Sequence, residues 1–188
     1  SPELQGEIRW WKAWLPRFVG KTGWEIWQML PERRIRPEEG WVSPEEVVLQ
    51  GLSPAEVAEY RRLLRRIWDE IMLVEPGGEV YVAGVYRHTP EVVRILMRDE
   101  RLRREAEALL VEARPGLEEW LAGRGVWRFS RGWVRRAEAL LGAVAEKGSP
   151  SLRVELAWWR ERVVKWERRT PREVWEELLR EERVENGR

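Results

Sequence analysis

Helix-start signals recur along the chain and constrain its fold more than any other feature. Three segments, beginning at Ser43, Ser53 and Thr170, place a hydroxyl residue at the N-cap, proline next and glutamate three residues after the cap. The hydroxyl oxygen can accept a hydrogen bond from the first turn, and the glutamate can accept one from the cap N–H. Thr89-Pro90 and Ser149-Pro150 are shorter versions of this signal. The sequence therefore predicts a mainly α protein.

Apolar residues in the C-terminal half are spaced as in long amphipathic helices. One series contains Leu152, Leu156, Trp159, Val163 and Trp166, and the other contains Trp133, Ala137, Leu140 and Val144. Steps of three and four residues place each series on one helical face. We therefore predict a helical bundle domain over residues 89–188, and a separate N-terminal domain over residues 1–88.

Residues 73–82 interrupt the helical pattern. Two β-prone runs flank Gly77 and Gly78, and a Gly-Gly pair is typical of a two-residue hairpin turn. The sequence therefore predicts a small β-hairpin directly after the helix that begins beyond Ser53.

The order of the predicted elements resembles the winged helix-turn-helix superfamily over residues 22–86. A helix over residues 24–30 precedes a short capped helix over 44–50, a tight turn at 51–53, a longer helix and the hairpin. In that superfamily the helix after the turn is the recognition helix and the hairpin is the wing. The resemblance implies an N-terminal winged helix-turn-helix with a β-hairpin wing, followed by the helical bundle.

The resemblance also implies contacts to nucleic acid from the outer face of the recognition helix. Arg62 and Arg66 lie on this face, and guanidinium groups suit phosphates and guanine edges. Glu56 and Glu59 share the face, and carboxylates repel a phosphate backbone. Because other members of the superfamily dock onto proteins, a protein partner remains the alternative for this helix.

A second candidate contact for nucleic acid lies in residues 120–137, which contain five arginines and no acidic residue. Arg124, Arg128 and Arg131 alternate there with Trp127 and Phe129. Single-strand binding surfaces combine arginines that meet phosphates with aromatic rings that stack on bases. The alternative is a loop whose rings fill the core and whose arginines pair with glutamates.

Tryptophan is the most unusual feature of the composition, with fourteen residues. Trp10-Trp11 and Trp158-Trp159 are adjacent pairs within predicted helices. Neighbouring helical side chains point about 100° apart, so one narrow face does not bury both rings. One ring of each pair is a candidate anchor for a protein partner or a second copy of the chain. The alternative is ordinary core packing.

The chain offers few groups for catalysis or metal binding. It has no cysteine and a single histidine, His88, which excludes thiol chemistry, a Cys/His zinc site and a histidine-based triad. Neither glycine-rich phosphate-binding motif occurs. Glutamate pairs such as Glu118-Glu119 lie in arginine-balanced helical stretches and are interpreted as solvated surface. We expect no catalytic residue, no cofactor and no metal.

The sequence contains neither a membrane-length apolar run nor a recognisable signal peptide. We therefore expect a cytoplasmic protein that makes no membrane contact. The favoured function is a non-enzymatic nucleic-acid-binding factor of a transcription, replication or mobile-element type. The alternative is a protein-interaction or adaptor subunit that uses its tryptophan-rich surfaces and binds little nucleic acid.

The charged residues predict high thermal stability. Positive charge is carried mostly by arginine and negative charge mostly by glutamate, and asparagine occurs only at Asn186. Heat-adapted proteins favour dense ion pairs and few heat-labile side chains. We expect a calorimetric melting temperature above the range of about 45–65 °C in which mesophile domains cluster. A midpoint inside that range would contradict a heat-adapted origin.

Overall fold

The computed structural model describes residues 2–21 and 44–186, and eight α-helices lie within these ranges. They are α1 (Pro2–Phe18), α2 (Pro44–Val48), α3 (Pro54–Ile67), α4 (Gly78–Arg98), α5 (Glu100–Leu121), α6 (Arg131–Lys147), α7 (Pro150–Val163) and α8 (Pro171–Asn186). A π-helical turn, Trp68–Met72, continues α3, and a 3-10 turn, Val164–Trp166, continues α7. The prediction of a mainly helical protein is confirmed.

The predicted caps start α3, α7 and α8. At α3, the Glu56 N–H donates to the Ser53 hydroxyl, and the Ser53 N–H donates to the Glu56 carboxylate at 2.7 Å. Thr170 and Glu173 make the same reciprocal pair at α8. At α7, the Ser149 hydroxyl accepts from the third residue of the helix. Ser43 and the helix predicted over residues 24–30 lie outside the described residues.

The Thr89-Pro90 pair does not start a helix, which corrects the interpretation of this weaker signal. Both residues lie inside α4. The Thr89 hydroxyl donates to the carbonyl oxygen of Val85 at 2.6 Å, one turn back in the same helix, instead of capping a new one. The boundary predicted between residues 88 and 89 therefore falls within a continuous helix.

The β-hairpin predicted over residues 73–82 is wrong, and the described ranges contain no strand. Gly77 has a φ of 94° and is the N-cap of α4, which begins at Gly78. Tyr81 and Val82, which the pattern placed in a strand, are buried on the inner face of this helix. Their tertiary packing overrides a β preference that is weak and context-dependent. The wing is therefore absent, while α2, its turn and α3 retain a helix–turn–helix order.

The helices pack around two hydrophobic clusters. The first is rich in aromatic rings and joins α4, α5, α6, α7 and α8, with Tyr81, Leu109, Trp133 and Trp175 among its buried members. The second joins α2 and α3 to α4, α5, α6 and α7. Each cluster thus takes residues from both sides of residue 88.

The N-terminal helix packs against the π-helical turn. Trp14 is only 1% exposed, and its indole N–H donates to the carbonyl oxygen of Leu73 at 2.6 Å. Arg9 pairs with Glu70 at 3.2 Å and Arg17 pairs with Glu79 at 3.5 Å. These contacts fix α1 beside the turn that leads into α4.

We expect Gly78→Ala to destabilise the protein. A Cβ at this position would overlap the carbonyl oxygen of Met72, and it would lie 3.2 Å from the ring of Trp175, which is closer than an ordinary van der Waals contact. Because the backbone must move to make room, the free energy of unfolding should fall by about 1–3 kcal/mol or more, measured by denaturant unfolding.

Gly132→Ala is the matched control, since a Cβ there meets only the Ser130 hydroxyl at 3.8 Å. It should leave stability unchanged or raise it by up to about 1 kcal/mol, because glycine is a poor helix former. Equal effects of the two substitutions would contradict the tight approach at Gly78.

Candidate nucleic-acid interface

Two loops that are far apart in sequence form one surface near the start of α6. The Phe129 N–H donates to the carbonyl oxygen of Arg169 at 2.9 Å, and the Arg168 N–H donates to the carbonyl oxygen of Phe129 at 2.8 Å. This pair joins the α5–α6 loop, residues 122–130, to the loop that precedes α8. Arg168 has a φ of 64°, a conformation uncommon for a residue with a side chain. The backbone therefore fixes where the arginines of both loops emerge.

Glu119 holds the other end of the α5–α6 loop. Its carboxylate accepts hydrogen bonds from the N–H groups of Val126 and Trp127, at 2.8 Å and 2.7 Å. These bonds stabilise the charged form and lower the pKa of Glu119 below its usual value. The Glu119 carboxylate therefore holds the loop backbone in place at these two N–H groups.

The aromatic residues of this loop belong to the core. Phe129 is 6% exposed, and its ring lies 4.6 Å from that of Trp133 and 5.3 Å from that of Trp166, measured between centroids. The Trp127 ring is half-buried and packs so closely over Gly116 that a Cβ there would overlap it. The prediction that Phe129 stacks on bases is therefore corrected, because its ring has no free face. Much of the Trp127 ring is likewise in contact with Gly116 and Phe129.

Five arginines of the two loops and of the start of α6 are exposed. Arg124, Arg131, Arg135 and Arg168 are exposed, and within the described ranges none of them forms an ion pair with a carboxylate. Arg128 is also exposed; it pairs with Glu173 at 3.1 Å and donates to the carbonyl oxygen of Arg168 at 2.8 Å. We call these five residues the loop arginine surface.

The start of α6 adds to the positive potential of this surface. Its first turn carries no acidic residue, although helix N-termini favour negative charge. Arg131 and Arg135 lie in the first two turns instead. Their charges and the helix dipole have the same sign, so the surface is electrostatically suited to an anion.

The two arginines predicted on the recognition helix differ in their surroundings. Both lie on α3 and both are exposed. Arg66 is engaged by Glu70, one turn away, at 2.9 Å. Arg62 forms no ion pair with any described carboxylate, so it is the freer cation of the two.

The tryptophan pairs are partly covered. Trp158 and Trp159 are half-buried, and both rings lie about 6 Å from that of Tyr81. The guanidinium of Arg162 lies 3.5 Å from the centroid of the Trp158 ring. Trp11 is half-buried on α1, and the side chain of Trp10 lies outside the described residues. A partner-binding role for these four tryptophans remains a prediction.

A cavity of about 540 Å³ lies between the π-helical turn and α8. Its lining residues are Ile71, Glu75, Trp120, Gly123, Arg172, Trp175, Glu176, Leu179 and Arg180. The rings of Trp120 and Trp175 meet at 53° with centroids 6.3 Å apart. The Trp175 indole N–H is buried and has no acceptor among the described residues, at a cost of about 1–3 kcal/mol. Sequence reasoning missed this cavity because its walls come from three distant segments.

No family model, curated protein sequence or solved structure matches the chain. In the part of the chain that the structure describes, no grouping of histidine, aspartate and glutamate could hold a metal ion. The same residues include no helix with the length and apolar character needed to cross a bilayer.

We expect Phe129→Ala to act as a core substitution. Removing a buried aromatic ring should lower the free energy of unfolding by about 3–5 kcal/mol in a denaturant titration. Arg124→Gln, five residues earlier in the same loop, should change stability by no more than about 0.5 kcal/mol because Arg124 is exposed. A small effect of Phe129→Ala would instead indicate that the ring is available to a ligand.

Proposed function

We propose that the protein is a non-enzymatic nucleic-acid-binding factor that contacts the phosphate backbone with the loop arginine surface. The observation that carries the proposal is the set of four exposed arginines without carboxylate partners, Arg124, Arg131, Arg135 and Arg168, within the described residues. Each guanidinium is always charged and presents several N–H donors to phosphate oxygens.

The loop arginine surface is positively charged although the chain as a whole is nearly neutral. The whole chain has a formal net charge of +1, and several other arginines are neutralised by two carboxylates each. Arg103 pairs with Glu100 and Glu107, and Arg136 pairs with Glu105 and Glu112. A near-neutral protein attracts a polyanion to regions where its cations are not neutralised and not to its whole surface.

The burial of Phe129 shapes the expected binding mode. Phosphate contacts fix the position of a nucleic acid but carry no direct sequence information. With that ring in the core, the loop arginine surface offers charge without base recognition. We therefore expect binding that depends steeply on salt and weakly on sequence.

Arg62 on α3 supports a second contact. It is exposed at the middle of the helix that follows the helix–turn–helix turn, the position at which winged-helix proteins meet nucleic acid. We propose it as an auxiliary cation, since Arg66 beside it is already engaged by Glu70.

The triple variant Arg124→Gln, Arg131→Gln and Arg135→Gln tests the proposal. Wild-type protein should bind a labelled duplex or single strand at physiological salt with a dissociation constant of about 10⁻⁴–10⁻⁶ M or tighter. In fluorescence-anisotropy titrations at several salt concentrations, the variant should bind more weakly on every sequence. Its salt slope should fall by about 0.9 for each lost contact on duplex and about 0.7 on single strands.

The matched control carries Arg94→Gln, Arg98→Gln and Arg101→Gln. These arginines are also exposed, and the net charge changes by the same amount. The control should retain the wild-type salt slope. Equal losses in the two triple variants, or wild-type affinity weaker than about 10⁻⁴ M, would remove the proposal.

A second candidate function is protein interaction through α7. Val154 is 73% exposed and lies one turn before Trp158, whose half-buried ring packs on Tyr81 and Arg162, so an exposed apolar side chain adjoins a partly covered aromatic ring. Sedimentation velocity of wild type and Val154→Arg tests self-association through this face. A concentration-dependent shift that the substitution abolishes would favour the interaction role, and a constant monomer would exclude a homo-oligomer there.

A further inference from the structure

We infer that the cavity between the π-helical turn and α8 receives an unpaired base, so that the protein binds single-stranded nucleic acid in preference to duplex. The inference rests on the proposed function, because the phosphates of that strand would lie on the loop arginine surface. It adds the part of the ligand that this surface does not recognise, namely the base.

The cavity has the size and lining that a flat ring requires. Its volume of about 540 Å³ lies within the usual range for small-ligand sites, and it exceeds the volume of a single base. Trp120 is half-buried and lines the cavity, and the ring of the buried Trp175 meets it at 53°. Ile71 and Leu179 add apolar side chains to the wall, and the charged side chains of Glu75, Arg172, Glu176 and Arg180 complete the lining. A base can therefore stack on one indole and meet the other at its edge.

The cavity adjoins the loop arginine surface at the end of α5. Gly123 lines the cavity and Arg124 is the next residue. Gly123 has a φ of 71°, and no atom lies within 4 Å of the position that a Cβ would take, so the approach to this wall is open. A nucleotide whose base enters here would hold its phosphate near Arg124.

The charges at the rim complement a nucleotide better than an uncharged apolar guest. Arg172 is paired with Glu176 at 2.9 Å, whereas Arg180 has no carboxylate partner among the described residues. The lining holds two arginines and two glutamates, since Glu75 also belongs to it. Arg180 and Arg124, which follows the lining residue Gly123, are both exposed, so each presents a guanidinium group close to the rings. Arginine next to stacking rings is the combination by which proteins hold single strands.

The orphan donor of Trp175 fits the same ligand class. Its indole N–H is buried without an acceptor among the described residues. Bases carry carbonyl and ring-nitrogen acceptors. Because the nitrogen is covered in the free protein, this bond would form only if the Trp175 ring shifts on binding, and the stacking on Trp120 does not depend on it.

Two labelled strands of equal length separate the base from the phosphate. One is an oligothymidylate and the other consists of abasic residues with the same phosphates. Wild-type protein should bind the oligothymidylate at least about fivefold more tightly, which is the lower end of stacking one base on an aromatic side chain. A duplex of the same length should not show this additional affinity, because its bases are already stacked within the helix.

Trp120→Ala should bring the ratio of the two affinities close to one and leave the affinity for the abasic strand unchanged. Trp120→Phe retains a ring and should keep part of the preference. Trp158→Ala is the control, since Trp158 is also a half-buried member of the aromatic cluster, does not line the cavity, and packs on Tyr81 and not on Phe129. The control should keep the wild-type ratio, provided that thermal melts show each variant folded.

A measurement on the wild-type protein covers the case in which Trp120→Ala does not fold. Photo-crosslinking with a strand that contains 5-iodouracil, followed by peptide mass spectrometry, should identify the peptide that carries Trp120. Cross-links confined to other peptides would overturn the inference.

The outcomes for the cavity and for the proposed function are distinct. Equal wild-type binding to the two strands overturns the base site but leaves the phosphate contact standing. Wild-type binding to neither strand overturns the proposed function and the base site together. A preference for thymidylate that survives in Trp120→Ala places the base elsewhere and overturns the inference.

Discussion

The backbone pairing of Phe129 with residues 168 and 169 is the contact on which the arrangement of the candidate interface depends. Two hydrogen bonds join the α5–α6 loop to the loop before α8, while the Phe129 ring packs against both Trp133 and Trp166. The Trp133 indole N–H in turn donates to the carbonyl oxygen of Leu109 on α5 at 3.0 Å. One aromatic cluster therefore sets the positions of the α5–α6 loop, α6 and α8. Its packing also directs the arginines of both loops into solvent.

This division between buried rings and exposed guanidinium groups explains how far the sequence could predict the interface. The absence of acidic residues over 120–137 identified Arg124 and Arg131, because a run of like charges is visible without a structure. The same segment has no regular period, so nothing in it distinguished a ring that fills the core from one that faces solvent. Tertiary packing determines that the Phe129 ring is buried. The positive φ of Arg168 likewise has no marker in the sequence.

The fold shows the same limit. The capping pairs Ser53–Glu56 and Thr170–Glu173 are local, and local chemistry was enough to predict where α3 and α8 begin. Gly77-Gly78 was ambiguous, because a left-handed glycine suits both a hairpin turn and the start of a helix. The burial of Tyr81 among tryptophans from α7 and α8 favours the helix. The cavity is lined by residues from the segments 71–75, 120–123 and 172–180. No pattern within any one of these segments predicts that the three lie together in the fold.

Hydrogen–deuterium exchange with and without a single-stranded oligonucleotide tests the central claim most directly, because it locates the contact without any substitution. Exchange should slow over residues 122–135 and 166–170, where the loop arginine surface lies, and this protection should be lost at high salt. Exchange in the middle of α7 should not change. Protection confined to α7, or none at oligonucleotide concentrations up to about 10⁻⁴ M, would contradict the claim that these two loops bind nucleic acid.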